Sequence, residues 1–420
     1  MTSSSCVDTP GRQVQHPVVP SGLVGLFAVA AGASVANVYY AQPLLDAVAL
    51  DLGIPLAAVG GVITATQLGS ALALLLLVPL GDRVNRRPLM AWQLLALVLA
   101  LLAVAWAPSA PLLMGAMLAV GLLGTAMTQG LIAYAASAAP PDARGRVVGG
   151  AQSGVFIGLL LARVLAGAVG DAWGWRSVYM ASAALMLAMA LPLWWWLPVL
   201  AHRPSTLGYR QLVASMGSLL RRDRVLQVRG VLALLMFAAF SIFWSSLVLP
   251  LRAAPFGFSH TAIGLFGLVG AAGALAATLA GRWVDRGQAQ RASMWALLAL
   301  LLAWLPLAGL GGLPDPRWAI TALVLGIVLL DLGGQALHVS NQGLIFARSS
   351  DAHSRVVAVY MLFYAVGSGL GAISATSVYA YAGWLGVCAL GAVVSGSALL
   401  FWRATCDWMR ADPANAAANA

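Results

Sequence analysis

Hydrophobic and polar positions along this chain fall into long blocks. Twelve apolar runs, near 21–42, 57–80, 89–107, 111–137, 147–170, 177–198, 227–250, 260–283, 292–312, 317–346, 356–381 and 384–402, are separated by short polar stretches. A helix crossing the ~30 Å hydrocarbon layer needs about 20 apolar residues, so each run has the length of a membrane-spanning helix. The pattern predicts an all-α integral membrane protein with twelve transmembrane helices. Residues 1–20 are polar and carry no apolar signal core, so span 1 reads as an uncleaved insertion signal and 1–20 as a cytoplasmic N-terminal tail. The polar segment 199–226, with "RRDR" at 221 to 224, reads as a cytoplasmic linker between two six-helix halves, 21–198 and 227–403. Residues 404–420 read as a cytoplasmic tail whose end, "ADPANAAANA", has the composition of disorder.

Composition agrees with the pattern: 61% of the 420 residues are hydrophobic, 9% are charged, and the mean hydropathy is +0.88. All 23 basic residues are Arg and all 13 acidic residues are Asp. The absence of Lys excludes a Walker A loop and a Schiff base, and the absence of Glu excludes the zinc motif HExxH. Cys6, Cys388 and Cys406 are far apart and show neither CxxC nor Cys/His spacing, so no metal site, cofactor or disulfide framework is expected. The net charge of +10 is scattered between apolar runs, which argues against a nucleic-acid partner. With a cytoplasmic N-terminus, 19 Arg fall inside, three (Arg176, Arg252, Arg317) outside, and Arg163 within a span. That asymmetry fits the positive-inside rule.

The halves repeat one another. Asp142-Ala-Arg-Gly-Arg146-Val-Val recurs as Asp351-Ala-His-Ser-Arg355-Val-Val 209 residues later, and Gly174-Trp175 recurs as Gly383-Trp384 at the same offset. Gln129-Gly-Leu-Ile132 is echoed by Gln342-Gly-Leu-Ile345, and Asp82-Arg83 by Asp285-Arg286. Two parallel six-helix repeats around a central cavity are a transporter architecture with the ligand site between the halves.

The segment "VPLGDRVNRRP" (78–88) resembles the loop 2–3 signature GxLaDRxGRR of the major facilitator superfamily. Asp82, Arg83, Arg86 and Arg87 match; Val78 replaces the first Gly, and Asn85 the second, Asn being able to adopt the left-handed conformation. The second copy is "GRWVDRG", with Asp285 and Arg286. "NVYYAQPLLD" (37–46) with "DLGGQALHVSNQ" (331–342) resembles a bacterial subgroup of twelve-span solute and drug efflux permeases, placed in the inner membrane. The resemblance implies that the loop motif acts as a cytoplasmic gate latch and that spans 1, 4, 7 and 10 line the cavity. Two antiporter features are missing: span 5 reads "GVFIGLLLARVLAG" without the proline of GxxxGPxxGG, and Met117 stands at the expected Arg of span 4.

Asp331 lies mid-span, where a bare carboxylate costs on the order of 2.5–3.5 kcal/mol and normally marks an ion or proton pathway. Asp331, Gln335, His338 and Gln342 fall on one helical face with Asn341 beside them. Asp331, His338 and Arg163 are the candidates for proton coupling, Arg163 having three possible partners: an anionic substrate group, Asp331 or Asp46. Asn37, Tyr40, Gln67, Gln129, Trp244, Gln335, Asn341, Gln342 and Tyr364 are candidates for the substrate cavity. A small residue at every fourth position of span 5, from Gly150 to Gly170, and "GSGLG" at 367–371 read as helix packing.

The expectation is a secondary transporter, functional as a monomer, moving a small organic solute by alternating access with proton-coupled efflux. Proton-coupled uptake uses the same residues. A non-transporting receptor lacks a substantial soluble domain, and an intramembrane enzyme lacks a nucleophile, base and orienter set.

Overall fold

The computed structural model describes residues 21–81, 83–140, 143–198, 200, 208–346 and 353–411. Asp82, Asp142 and Asp351, together with most of both tails, lie outside the described residues. All regular structure among the described residues is helical. The backbone has no other option in hydrocarbon, where each unpaired N–H or C=O is costly and an open strand edge has no solvent to satisfy it.

The first half contains spans Ser21–Leu52, Gly61–Leu80, Arg86–Ala105, Ala110–Ala138, Arg144–Trp173 and Trp175–Trp196. The second contains Arg224–Arg252, His260–Asp285, Ala289–Gly312 and Pro316–Ile345, then the long helix His353–Ala411. That helix breaks at Gly383 (φ 61°, ψ −161°) into spans 11 and 12, so the described chain has the twelve expected crossings. Gly174 (φ 83°, ψ 162°) makes the same break between spans 5 and 6. Both glycines occupy a region closed to residues with a Cβ, and both are followed by a buried Trp. The indole of Trp175 donates to Asp51 (3.2 Å) and that of Trp384 to the Leu307 carbonyl (2.7 Å). The sequence repeat is thus a repeat of backbone geometry.

Glycine contacts join the spans. A Cβ on Gly154 would lie 2.0 Å from the Ala28 carbonyl oxygen, and one on Gly158 2.3 Å from that of Gly32, so the small-residue stripe of span 5 packs on span 1. Gly367 and Gly371 admit the span 7 backbone at Leu234 and Ala238 in the same way. Between the halves, Gly60 of span 2 meets the Ala372 carbonyl of span 11, and Gly167 of span 5 meets that of His260 in span 8. Small residues permit such approach where apolar side chains gain little over lipid. Exposed Trp92, Trp194, Trp195, Trp196 and Trp295 ring one end of the bundle and Trp106, Trp173 and Trp318 the other, as interfacial belts do.

Two local features differ from the sequence expectation. Asn85 is not left-handed: it is extended (φ −62°, ψ 118°) and caps span 3, its side chain accepting from the Arg87 N–H. An Asn N-cap has a use of its own there, so no substitute for glycine geometry is required. The linker also contains a helix, Tyr209–Arg222, with Leu212 and Met216 buried and Met216 packed in one cluster with Val356 and Tyr360. Tyr209 Oη donates to the Leu76 carbonyl (2.9 Å) and Arg355 to Ser215 Oγ (3.0 Å), so the helix touches both halves.

The packing predicts a position-specific cost. Gly154→Leu should collapse the monodisperse detergent-extracted protein or lower its Tm, exceeding the ~1–3 kcal/mol usual for overpacking, because backbone is what it meets. Gly115→Leu, with no atom within 4 Å of its added Cβ, should leave the elution profile and Tm unchanged.

Candidate functional site

A cavity of about 520 Å³ lies between the halves. It is lined from the first half by Tyr39, Ser70, Thr125, Gln129, Gln152 and Phe156, and from the second by Phe237, Phe240, Gln335, His338, Gln342 and Tyr364. These residues occupy the middle of the spans and the half nearer the arginine-rich loops. At its other end is a pocket of about 80 Å³ that shares Tyr39, Phe156, Phe237, Phe240, Gln335 and Tyr364 with it. The pocket adds Gln42, Gln67, Arg163, Ser241, Trp244 and Asp331.

Asp331 and Arg163 therefore face one space from opposite halves, each 6% exposed. They are not paired: no Arg163 nitrogen comes within 4.0 Å of an Asp331 oxygen, and Asp331 Oδ2 has no hydrogen-bond partner among the described residues. Arg163 Nε donates to Gln42 Oε1 (2.9 Å), and the guanidinium lies 4.1 Å from the Trp244 ring centroid and 5.6 Å from that of Tyr39. Stacking and one amide hold the cation in place and leave its charge without a counter-ion in contact. Gln67 Oε1 is a second buried acceptor in the same pocket without a partner among the described residues. Span 8 makes the space: Gly267 faces the Arg163 side chain and Gly270 the Asp331 carboxyl, and a Cβ at either would lie within 3.2 Å of it. Tyr39 and Tyr364 hydrogen-bond across the halves beside it, and Phe237 meets Tyr364 edge-on at 4.2 Å.

Of the candidates from the sequence, Gln67, Gln129, Trp244, Gln335, His338, Gln342 and Tyr364 line one or both spaces. Asn37 and Tyr40 do not. Asn37 is fully buried, donates to the Ala33 and Ser34 carbonyls and accepts from Ser182 Oγ of span 6 (2.6 Å). Tyr40 packs edge-on against Tyr179. Their shared face looks toward span 6, and Val35, Val38 and Tyr39 are the span 1 residues on the larger cavity. Asn341 is also fully buried, accepting from Arg229 (3.2 Å) and donating to Tyr360 Oη (3.5 Å), while His338 Nδ1 contacts the same hydroxyl at 3.0 Å.

Arg229, one of the 19 arginines that the sequence reading counts as inside, is completely buried inside span 7. It contacts Ser293 Oγ (2.9 Å) and Asn341, and its Nε and one terminal nitrogen have no partner among the described residues. Its place inside the apolar run 227–250 was the available sequence signal.

In the loop 2–3 motif, Arg86 Nε donates to the Gly81 carbonyl (2.9 Å) and its terminal nitrogen to the Ala133 carbonyl and Ser137 Oγ, tying the loop to span 4. Arg87 hydrogen-bonds the Trp194 carbonyl and lies 4.9 Å over its ring. Arg83, Asp285 and Arg286 are exposed, and Asp82 lies outside the described residues.

Asp46 does not pair with Arg163. It takes Arg252 (3.0 Å) and His260 Nε2 (2.9 Å) instead. His260 Nδ1 faces Asp171 at 2.8 Å, and Asp171 also accepts from the His260 and Thr261 N–H groups and the Thr261 hydroxyl. This cluster locks spans 1 and 5 to spans 7 and 8 on the face opposite the arginine-rich loops. Thr64 Oγ1 and Ser377 Oγ, donating to the Gly369 and Ala57 carbonyls, join spans 2 and 11.

A family model described as the Major Facilitator Superfamily matches residues 23–327. The chain is 40% identical over 398 residues to "Uncharacterized transporter YgaY" of Escherichia coli O157:H7, covering 92% of this chain and 96% of that protein. It is 36% identical over 383 residues to "Probable transporter SCO4007" of Streptomyces coelicolor, covering 90% of this chain and 86% of that protein. Among solved structures, it matches a bacterial homolog of the human lysosomal transporter Spinster, in an inward-facing, unoccupied conformation, with TM-score 0.71 at 15% identity, covering 91% and 96%. That likeness shows the fold.

Removing one anchor of the lock should open the opposite face. With the native Cys changed to Ser and Ser241→Cys as reporter, an impermeant thiol reagent from that face should react about 10–100-fold faster in Asp171→Ala. That range corresponds to losing charge-assisted hydrogen bonds of about 1.5–3 kcal/mol. An unchanged rate would show that the cluster holds nothing shut.

Proposed function

The chain belongs to the Major Facilitator Superfamily, and from that premise we propose that this multi-pass membrane transporter exports a small organic solute in exchange for protons. Asp331 is the protonation site. The observation that carries the reading is its buried, unpartnered Oδ2, in a pocket built from both halves and close to an arginine it does not touch. A carboxyl so placed is least costly when neutral or when a cation comes against it. Its proton or a substrate group is therefore part of what decides how closely the halves pack there. A ligand or proton shifts a two-state protein only through its different affinity for the two states, and a site shared by both halves provides that difference.

In this reading both termini and the arginine-rich loops are cytoplasmic, the cavity opens toward the cytoplasm, and the His260 cluster closes the outer face. The loop 2–3 motif closes the inner face in the other state. The aromatic and amide lining suits an amphipathic organic solute. Both halves of the pocket come from one chain, so a monomer suffices. Proton-coupled uptake would use the same groups and is favoured by one observation, the lack of a proline in residues 154–167.

Inside-out vesicles with a respiration-generated pH gradient test the proposal. Compounds from a panel of amino acids, nucleosides, sugars and lipophilic cations should collapse the gradient in wild type, and the rate should fall at least about tenfold in equally inserted Asp331→Asn. An undiminished collapse in the variant would remove Asp331 from coupling. Solute accumulation driven by an inward proton gradient, with no collapse in inside-out vesicles, would assign uptake.

A further inference from the structure

The charged pocket also limits what kind of solute fits. Among the described residues around the 80 Å³ pocket, Asp331 and Arg163 are the formally charged side chains; the others are aromatic, aliphatic, hydroxyl or amide. One negative and one positive group face the space without contacting each other. The same pocket holds a second acceptor without a partner among the described residues, Gln67 Oε1. An ammonium group has three donors to divide between two such acceptors, and a guanidinium suits a carboxylate.

The spacing is set by span 8. Arg163 leans on Gly267 and Asp331 on Gly270, three residues further along the same helix. Gly267 touches the aliphatic stem of Arg163 and Gly270 the Asp331 carboxyl, so span 8 supports the cation and the anion at successive points and keeps them from closing on each other. Beyond the pocket, the space widens to 520 Å³ between Phe156, Phe237, Phe240 and Tyr364, which offers room for an apolar side group.

We propose that this pocket is a receptor for the zwitterionic head of an amino-acid-like solute, its ammonium on Asp331 and Gln67 and its carboxylate on Arg163. The assignment rests on the transport reading above and narrows its substrate class. A monocation would satisfy Asp331 but be left against an unneutralised Arg163, and a monoanion would satisfy Arg163 but leave Asp331 to be neutralised by a proton, with no solute group of its own. A zwitterion meets both, and buried charges left without partners are what selectivity acts against. Because Arg163 and Gln67 belong to the first half and Asp331 to the second, one bound zwitterion also spans the interface on which alternating access depends.

Binding to the full-length chain purified in detergent tests this without a gradient, read by intrinsic tryptophan fluorescence and by Tm. The probes are phenylalanine, 2-phenylethylamine and 3-phenylpropanoate, which share a ring and differ in their charged groups. Phenylalanine should bind wild type at least about tenfold more tightly than either analogue. Asp331→Asn should erase the preference over 3-phenylpropanoate and keep that over 2-phenylethylamine, and Arg163→Gln should do the reverse. Ratios within one folded variant are insensitive to a general loss of stability. Equal binding of phenylalanine and either analogue to wild type would overturn the assignment, as would no saturable binding across zwitterions from glycine to a dipeptide. Gradient collapse lost in Asp331→Asn with the zwitterion preference absent would leave the coupling reading standing and remove this one. The preference present with collapse unaffected by the variant would do the opposite.

Discussion

Hydrocarbon offers no hydrogen bonds, and the rest of this structure follows from that constraint. Every crossing must be a helix, and apolar side chains gain little by leaving lipid for one another. Close contact therefore depends on backbone approach, and glycine provides it at each main seam: Gly154 and Gly158 between spans 1 and 5, Gly367 and Gly371 between 7 and 11, Gly60 between 2 and 11, Gly167 between 5 and 8. The last two join the halves. The interface between two repeats is then where polar groups find company, and where a charge can remain without a partner.

The same constraint explains what could be read from the sequence. Crossing a membrane needs about 20 apolar residues, so the spans were legible, and the Gly174-Trp175 and Gly383-Trp384 pairs marked a repeat now seen as matching backbone breaks. Asp331 stood out because a carboxylate in an apolar run costs too much to be incidental. Helical period gives the faces of a span but not the neighbour each face meets. Asn37 and Tyr40 share a face, and that face turned out to look at span 6. Asp46, Asp171 and His260 form one cluster although 89 or more positions separate His260 from either carboxylate, and no local pattern announces such a meeting. Arg229 was hidden by its position, since an arginine near a span end is ordinarily an anchor.

The fold arranges two kinds of polar contact. On the face opposite the arginine-rich loops, His260 and Arg252 of the second half meet Asp46 and Asp171 of the first, every charge in contact with an opposite one. In the central pocket, Arg163 and Asp331 are brought near one another and held apart, by Gln42 and Trp244 on one side and span 8 on the other. The first arrangement holds a state and the second waits for a ligand or a proton. A transporter needs both, because a site fully satisfied from within would have no reason to respond to its solute.

The central claim is that protonation of Asp331 biases the two halves between their arrangements. Spin labels at Leu50 and Tyr381, each 88% exposed and on opposite halves of the outer face in the proposed orientation, would report the separation of the halves by pulsed dipolar spectroscopy. The account predicts a distance distribution that shifts with pH in wild type and, in Asp331→Asn, stays at the acidic wild-type distribution at every pH. A variant that follows pH as wild type does would contradict it.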